Sequence, residues 1–535
     1  MKERAKFFVI QMGRMGDVVQ SLPLLKRLRD EKFPCEITLL CIREPAQLLG
    51  SVVPVDRFVS IPYGYYKKLR SRENPSTGLR FLLEIAELRE SYDLVINLTH
   101  DLLAASLCYN IRSRKKSGLV QDREGRVSLE GDWGKYLFSV ATDRNNRAQN
   151  LINLVDIHIG MGGLRHQAME KWLETGEEEE QSAEELLVEH GWKRRGKLVA
   201  FQMGANQPHR AWPVGHFARL GETLTDHPDV ETVLLGAPGE SGLGEEFLRK
   251  APIPAVNLIG KSRVSELPAI LTKCDLLVSN DTGTAHIAAA VGTRVLGLYF
   301  STAFFGETAP FGGGHVVLQV ETECTPCLKD RCQETWCRDY LCVEAVQASA
   351  KRMLFGRTEP LSEFPNLSIY ESRFLSNGTL IYLPAAEKIS ERYQNAFLNR
   401  ILWENALGLE HDEKFLAGFG AKLLALESFR STMEAVRTEY ASLSSHYHET
   451  LKTLYQAALA GNLPDAGKIG ANGFTRNSLL RAFHRFEMMG LGGENPLEAH
   501  RELIQKHAKL NSMVNASLGI LEAMASEDFP GDLPR

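Results

Sequence analysis

No stretch of the 535-residue chain approaches the roughly 20 consecutive apolar residues that a membrane-spanning helix needs. The apolar run near the N-terminus, Phe7 to Met12 with Gln11 inside it, is too short for a secretory signal and leads straight into a glycine turn. A soluble, cytoplasmic protein is expected, with peripheral attachment at the inner face of the membrane left open. Positive charge is not in excess either. Sixty-two Lys and Arg against 67 Asp and Glu leave a net charge of −5, so no global basic field recruits nucleic acid. A secreted disulfide framework is also missing: the nine cysteines are odd in number and unevenly spread, with Cys35, Cys41, Cys108 and Cys274 scattered in apolar surroundings.

What is there is ordinary globular composition, 44% hydrophobic and 24% charged. At roughly 100–200 residues per domain, the length suggests about three domains. Lys6 to Gln11 reads as a buried strand, ended by Gly13-Arg-Met-Gly16-Asp17. Val18, Val19, Leu22, Leu25 and Leu28 follow at helical spacing. Glu36 to Ile42 and Asp93 to Leu98 are further apolar strands. Continuous apolar strands alternating with amphipathic helices indicate βα units around a parallel sheet.

An acidic run, Glu177 to Glu180 and then Glu184-Glu185, interrupts this first half as the exposed start of a helix or as a linker. The βα rhythm then restarts with Leu198–Gln202, Val230–Leu235, Leu276–Ser279 and Arg294–Tyr299. Two such halves predict an α/β protein with two doubly wound sheets facing a cleft. From about residue 350 the texture changes. Ser368 to Leu383 alternates on both sides of Asn377-Gly378, the strongest short hairpin signal. Helical patterns follow over Phe415–Leu426, Tyr440–Leu459 and Ser478–Met489. The expected divisions are 1–175, a linker or helix start at 176–196, a second sheet domain at 197–349, a hairpin connector at 350–384 and a helical extension at 385–535.

Four loops carry polar groups where ligands bind in open α/β folds, at the carboxyl ends of strands. Gly13 and Gly16 let a ligand approach backbone N–H groups at a helix start, and Asp17 lies in the first helical turn. The spacing is not that of a dinucleotide fingerprint, and a capping carboxylate is the plain alternative for Asp17. Arg210, in the run His209-Arg210-Ala-Trp212-Pro213, suits bidentate capture of a diphosphate or is a solvated loop residue. Glu240, after Gly236-Ala-Pro-Gly239, could accept ribose hydroxyls or merely begin a helix. Asp281-Thr282-Gly283-Thr284-Ala285-His286 passes from strand into an alanine-rich helix, whose N–H groups and dipole suit an anion. Its plain alternative is Asp281 as a cap and His286 as a satisfied core histidine.

Taken together, GDV after the first strand, R-x-WP, GAPGE and DTGTAH resemble glycosyltransferase family 9, the ADP-heptose:lipopolysaccharide heptosyltransferases. The resemblance spans about residues 5–345. It implies a GT-B architecture with the donor held mainly by the second domain, and inverting chemistry that needs no metal or other cofactor. No hydrophobic-flanked Asp-x-Asp of the metal-dependent kind is present. By the same resemblance Asp17 matches the catalytic base. Asp281, Thr282 and Gly283 match residues around diphosphate and heptose, and Glu240 matches the ribose contact. Arg210 stands where the family often has lysine.

The implied reaction moves a sugar from a nucleotide-diphosphate donor to an acceptor hydroxyl on lipopolysaccharide or another glycan. A protein acceptor chosen by the helical extension, or a binding protein that kept the fold without turnover, are the alternatives. Arg112, Arg114, Lys115 and Lys116 form a basic cluster expected on the acceptor side, or an exposed turn. Cys324, Cys327, Cys332, Cys337 and Cys342 fit structural zinc or another metal, or disulfides and free thiols.

Overall fold

Two sheets organise the chain, seen in a computed structural model that describes residues 4–43, 55–70, 85–327, 336–356, 364–386 and 388–435, with residues 438, 441, 445, 449, 515, 516, 519 and 520. They belong to the first of two compact units, built from residues 1–127, 152–374 and 378–388. The second unit gathers 128–151, 375–377 and 389–535.

In the first sheet β1 (Ala5–Gln11), β2 (Cys35–Ile42), β3 (Arg57–Ile61), β4 (Ser91–Asn97) and β5 (Arg112–Gln121) lie in the order β3-β2-β1-β4-β5, all parallel. Helix α1 (Met15–Lys32) follows β1, α2 (Tyr63–Arg70) follows β3, and α3 (Leu102–Asn110) follows β4. Helices on the faces bury the strands from both sides, which is why β1 reads as a continuous apolar run: Phe8, Val9 and Ile10 are completely buried.

The acidic run forms helix α4 (Glu177–Glu189), with only Ala183 and Leu187 buried. Glu177 to Glu180 occupy its first turn, where the helix dipole favours negative charge. It leads into the second sheet: β6 (Lys197–Gln202), β7 (Val230–Leu235), β8 (Ala255–Asn257), β9 (Leu276–Asn280), β10 (Val295–Tyr299) and β11 (Val316–Val320). These six are parallel in the order β11-β10-β9-β6-β7-β8. The connecting helices include α5 (Val214–Thr225), α6 (Ser241–Lys250), α7 (Gly283–Ala290) and α8 (Val343–Phe355).

The segment expected to be a hairpin connector forms β12 (Leu367–Phe374) and β13 (Leu380–Pro384), with Gly378 at a φ of 84° in the turn. The two strands extend the second sheet antiparallel beyond β11, giving eight strands. Both sheets thus carry the doubly wound order, and each turns back on itself between its first and fourth strands. A crevice opens at the carboxyl ends there. This is the GT-B architecture.

The second unit holds α9 (Glu391–Ala406), capped by the Ser390 side chain, and α10 (Glu413–Leu424), which covers most of the helix expected over Phe415–Leu426. Residues 128–151 join it from the first half of the chain. Tyr136 packs on Trp403 with ring centroids 4.7 Å apart, and Arg400 donates to the Leu151 carbonyl at 2.6 Å. The helices expected over 440–459 and 478–489 lie outside the continuously described residues. No described helix is long and apolar enough to cross a membrane.

Candidate active site

The site is built where α1 and α7 meet end to end. Gly16, in the first turn of α1, and Gly283, the first residue of α7, are the contact. A Cβ on Gly283 would stand 3.3 Å from the Gly16 nitrogen and 3.0 Å from Met15 Cε. Each helix start leaves its first N–H groups without an intrahelical acceptor and carries the positive end of the dipole. Two such ends converging make a stronger anion site than either alone.

On the α1 side, the Arg14 amide donates to Asp17 Oδ2 at 2.7 Å, so the capping role is present. Among the described residues the other carboxylate oxygen has no protein donor. Burial raises the Asp17 pKa; the Arg14 amide and the Arg14 charge oppose that, and the nearby Asp281 and Glu307 add to it. Gly13 makes room for this carboxylate, since a Cβ there would lie 2.6 Å from Asp17 Oδ2. Gln11 and Thr99 fix the loop: Gly13 N donates to Gln11 Oε1 at 3.0 Å and Met12 N to Thr99 Oγ1 at 2.8 Å.

On the α7 side, Thr282 occupies the cap position with extended backbone, and its hydroxyl meets that of Ser279 at 3.1 Å. Arg210 Nη2 donates to Asp281 Oδ2 at 2.6 Å, while Arg210 Nε is buried without a partner. The loop carrying Arg210 is anchored by Trp212, which is 1% exposed. Trp212 N donates to Asn280 Oδ1 at 3.0 Å and its indole N–H to the Leu341 carbonyl at 2.8 Å. His286 is buried, pushed down to about 4 by that burial, with Nδ1 unpartnered. Its ring would lie 3.0 Å from a Cβ on Gly16, so it is packed into the helix junction as a neutral imidazole.

Glu240 belongs to the same edge. Its carboxylate accepts the Ala237 amide at 2.8 Å and lies over Gly204, where a Cβ would be 1.6 Å from Oε1. The predicted residues Gly13, Gly16, Asp17, Arg210, Glu240, Asp281, Thr282, Gly283 and His286 therefore share the carboxyl edges of the two sheets.

The basic cluster does not. Arg112, Arg114, Lys115 and Lys116 begin β5, and Arg112 pairs in register with Ser91, the first residue of β4. That is the amino edge of the sheet, away from the site. Arg112 donates to the Arg89 carbonyl and Arg114 pairs with Asp93 at 3.4 Å. Lys116 caps the end of α3, donating to the Cys108 carbonyl at 2.5 Å and the Ile111 carbonyl at 2.6 Å. Strand alternation and these partners disperse the four charges, which corrects the acceptor-side expectation for them. Of the cysteines, Cys324 is exposed, Cys327 and Cys337 are buried and Cys342 is half-buried. Cys332 lies outside the described residues, among which no group of three or more His, Cys, Asp or Glu is arranged to hold a metal ion.

Sequence reasoning missed Glu307, Thr308, Gln11 and Gln202. Glu307 and Thr308 sit in a one-turn helix, Phe305–Thr308, and the Thr308 hydroxyl faces Asp281 Oδ1 at 3.5 Å. Nothing in that short stretch signals a site. The glutamines were readable: Gln-Met-Gly ends an apolar strand at 11–13 and again at 202–204.

The sequence profile of glycosyltransferase family 9 (heptosyltransferase) matches residues 84–337. Over that stretch, a little under half of its length, the chain is similar to glycosyltransferase family 9. It is 23% identical over 322 residues to the lipopolysaccharide core heptosyltransferase OpsX of Haemophilus influenzae, covering 59% of this chain and 84% of that protein. It is 26% identical over 310 residues to lipooligosaccharide heptosyltransferase 2 of the same organism, covering 55% and 83%. Among solved structures, the glycosyl transferase family 9 protein of Veillonella parvula superposes with a TM-score of 0.51 at 20% identity, over 66% of this chain and 98% of that one. The chain is accordingly a glycosyltransferase with the family's two-sheet fold.

Proposed function

We propose that this glycosyltransferase moves a heptose from ADP-heptose to an acceptor hydroxyl on lipopolysaccharide, with inversion at the anomeric carbon. The observation that carries the reading is the meeting of the α1 and α7 N-termini, with Asp17 on one side and Arg210–Asp281 on the other. The heptosyltransferase names of the relatives support the sugar and the acceptor class.

In this mechanism the acceptor oxygen attacks the anomeric carbon as the bond to the diphosphate oxygen breaks. Asp17 takes the acceptor proton, a role worth about 10²–10⁴-fold for a positioned general base. The departing diphosphate gathers charge, which the first-turn N–H groups of α7, the two helix dipoles and Arg210 stabilise without a metal. Glu240 accepts the ribose hydroxyls. Helix α2 stands at the carboxyl edge of the first sheet with Tyr63 and Tyr65 exposed beside Lys67 and Lys68, a surface suited to an anionic glycan.

Calorimetric titration with ADP, UDP and GDP tests the donor. ADP is expected to bind best, and to weaken in Glu240→Ala. Asp17→Ala should bind ADP normally and lose turnover; normal turnover in that variant would remove the mechanism.

A further inference from the structure

Gln202 is the last residue of β6, the strand at which the second sheet turns back. Its neighbours are β9 on one side and β7 on the other. The loops after these neighbours carry the two halves of the donor site: Glu240 follows β7, and the start of α7 follows β9. The Gln202 side chain is 6% exposed and touches both halves. Its Nε2 donates to Glu240 Oε2 at 3.4 Å, and its Oε1 accepts the Thr284 hydroxyl at 3.2 Å.

The residue type suits that double task. A side-chain amide carries a donor and an acceptor on one uncharged plane, so it can hold a carboxylate at one end and a hydroxyl at the other. Methionine could do neither, and glutamate only the second. A buried amide costs stability unless it is bonded, so an apolar residue would serve a purely structural strand end better. The first sheet repeats the device. Gln11 is 3% exposed, accepts the Gly13 amide and donates to the Asp17 carbonyl at 3.4 Å, bracing the loop that presents the catalytic carboxylate.

We propose that Gln202 is a positioning residue that couples the nucleoside end of the donor site, Glu240, to its diphosphate end, the first turn of α7. The inference rests on the donor reading of that site. Both ends must be placed before a nucleotide diphosphate can satisfy them together, and the amide fixes their separation.

Calorimetry on the full chain with ADP and AMP, alongside melting temperatures, provides the test. In Gln202→Met both ends loosen. ADP affinity is expected to fall about ten- to a hundredfold, and the preference for ADP over AMP to shrink. Gln202→Glu still accepts from Thr284 but sets a carboxylate against Glu240, so AMP and ADP should weaken together and the preference should persist. Unchanged ADP affinity in Gln202→Met, or equal loss of preference in both variants, would overturn the coupling. Should Gln202→Met fail to fold, Thr284→Val reads the same link from the other side: a reduced ADP preference supports it, an unchanged one refutes it. A wild-type chain that binds none of ADP, UDP and GDP would instead remove the donor reading, and this inference with it.

Discussion

Gly16 and Gly283 touch across the junction of two helix N-termini, so closely that a side chain on either would make its neighbours give by a few tenths of an ångström. A methyl group on Gly283 must push against the Gly16 backbone nitrogen, and one on Gly16 against the His286 ring. Gly283→Ala should therefore part the helix ends by a few tenths of an ångström, shifting Asp17 relative to the donor. A loss of about tenfold in turnover is expected. Steady-state rates with ADP-heptose check this, and a wild-type rate would show that the junction tolerates separation.

The raised Asp17 pKa has a definite sign in both activity and stability. A base must be deprotonated, so the acid limb of kcat/KM should lie above the ordinary aspartate value of about 3.9. Glu307→Gln removes a like charge and should move that limb down, as a pH profile of the two proteins would reveal. The folded state disfavours the ionised carboxylate, so its cost is present at neutral pH and relieved as pH falls through the raised value. Asp17→Asn should consequently melt no lower than the wild type at pH 7.

Gly204 is where the Glu240 carboxylate lies, with a Cβ-to-Oε1 separation of only 1.6 Å if a side chain were added. Gly204→Ala should expel the carboxylate and copy Glu240→Ala in nucleotide affinity. Titration of both variants with ADP decides it; a Gly204→Ala affinity close to wild type would contradict the placement.

Arg210→Lys keeps the charge but loses the planar fork. An ammonium can replace the Asp281 pair at 2.6 Å, but its three donors spring from one point, so it spans Asp281 and a phosphate less well than the two ends of a guanidinium do. ADP affinity is expected to fall about tenfold, the size of one charged hydrogen bond. Equal affinity in the two proteins would place Arg210 outside the donor contacts.

In the second unit, Arg400 Nε meets Glu404 Oε1 at 2.7 Å, with side chains 2% and 5% exposed. Arg400→Met would leave a buried carboxylate with the His411 ring as its remaining side-chain partner and should cost about 3–5 kcal/mol. Burial pushes the Glu404 pKa up, but Arg400 and His411 outweigh it and hold the group below the usual range. Its stabilisation is then present at neutral pH and lost as pH falls below the ordinary glutamate value. Thermal melting from pH 7 to pH 3, with and without Arg400, measures this.

Much of the fold was legible because parallel strands buried on both faces announce themselves. The apolar runs ending at Gln11, Gln202 and Leu235 are strands to within a residue. The strand Arg112–Gln121 was hidden by its own charges: Arg112 to Lys116 look like a turn, although Lys116 spends its ammonium on the carbonyls that end α3. The site loops were readable as glycine and small polar residues after strands. What linear order could not give was the company each keeps. Trp212 reaching Leu341, and Thr308 reaching Asp281, join positions 129 and 27 residues apart.

The helical extension is not a tail. Residues 128–151 leave the first half of the chain to pack with residues beyond 389, so Tyr136 meets Trp403 and Arg400 closes on Leu151. A chain shortened after Lys388 would take Trp403 from Tyr136 and Arg400 from the Leu151 carbonyl, and leave an apolar wound in its own interior sequence. Trimming the gene to its two-sheet portion is thus a subtraction at two places, and a clean excision has to take residues 128–151 as well.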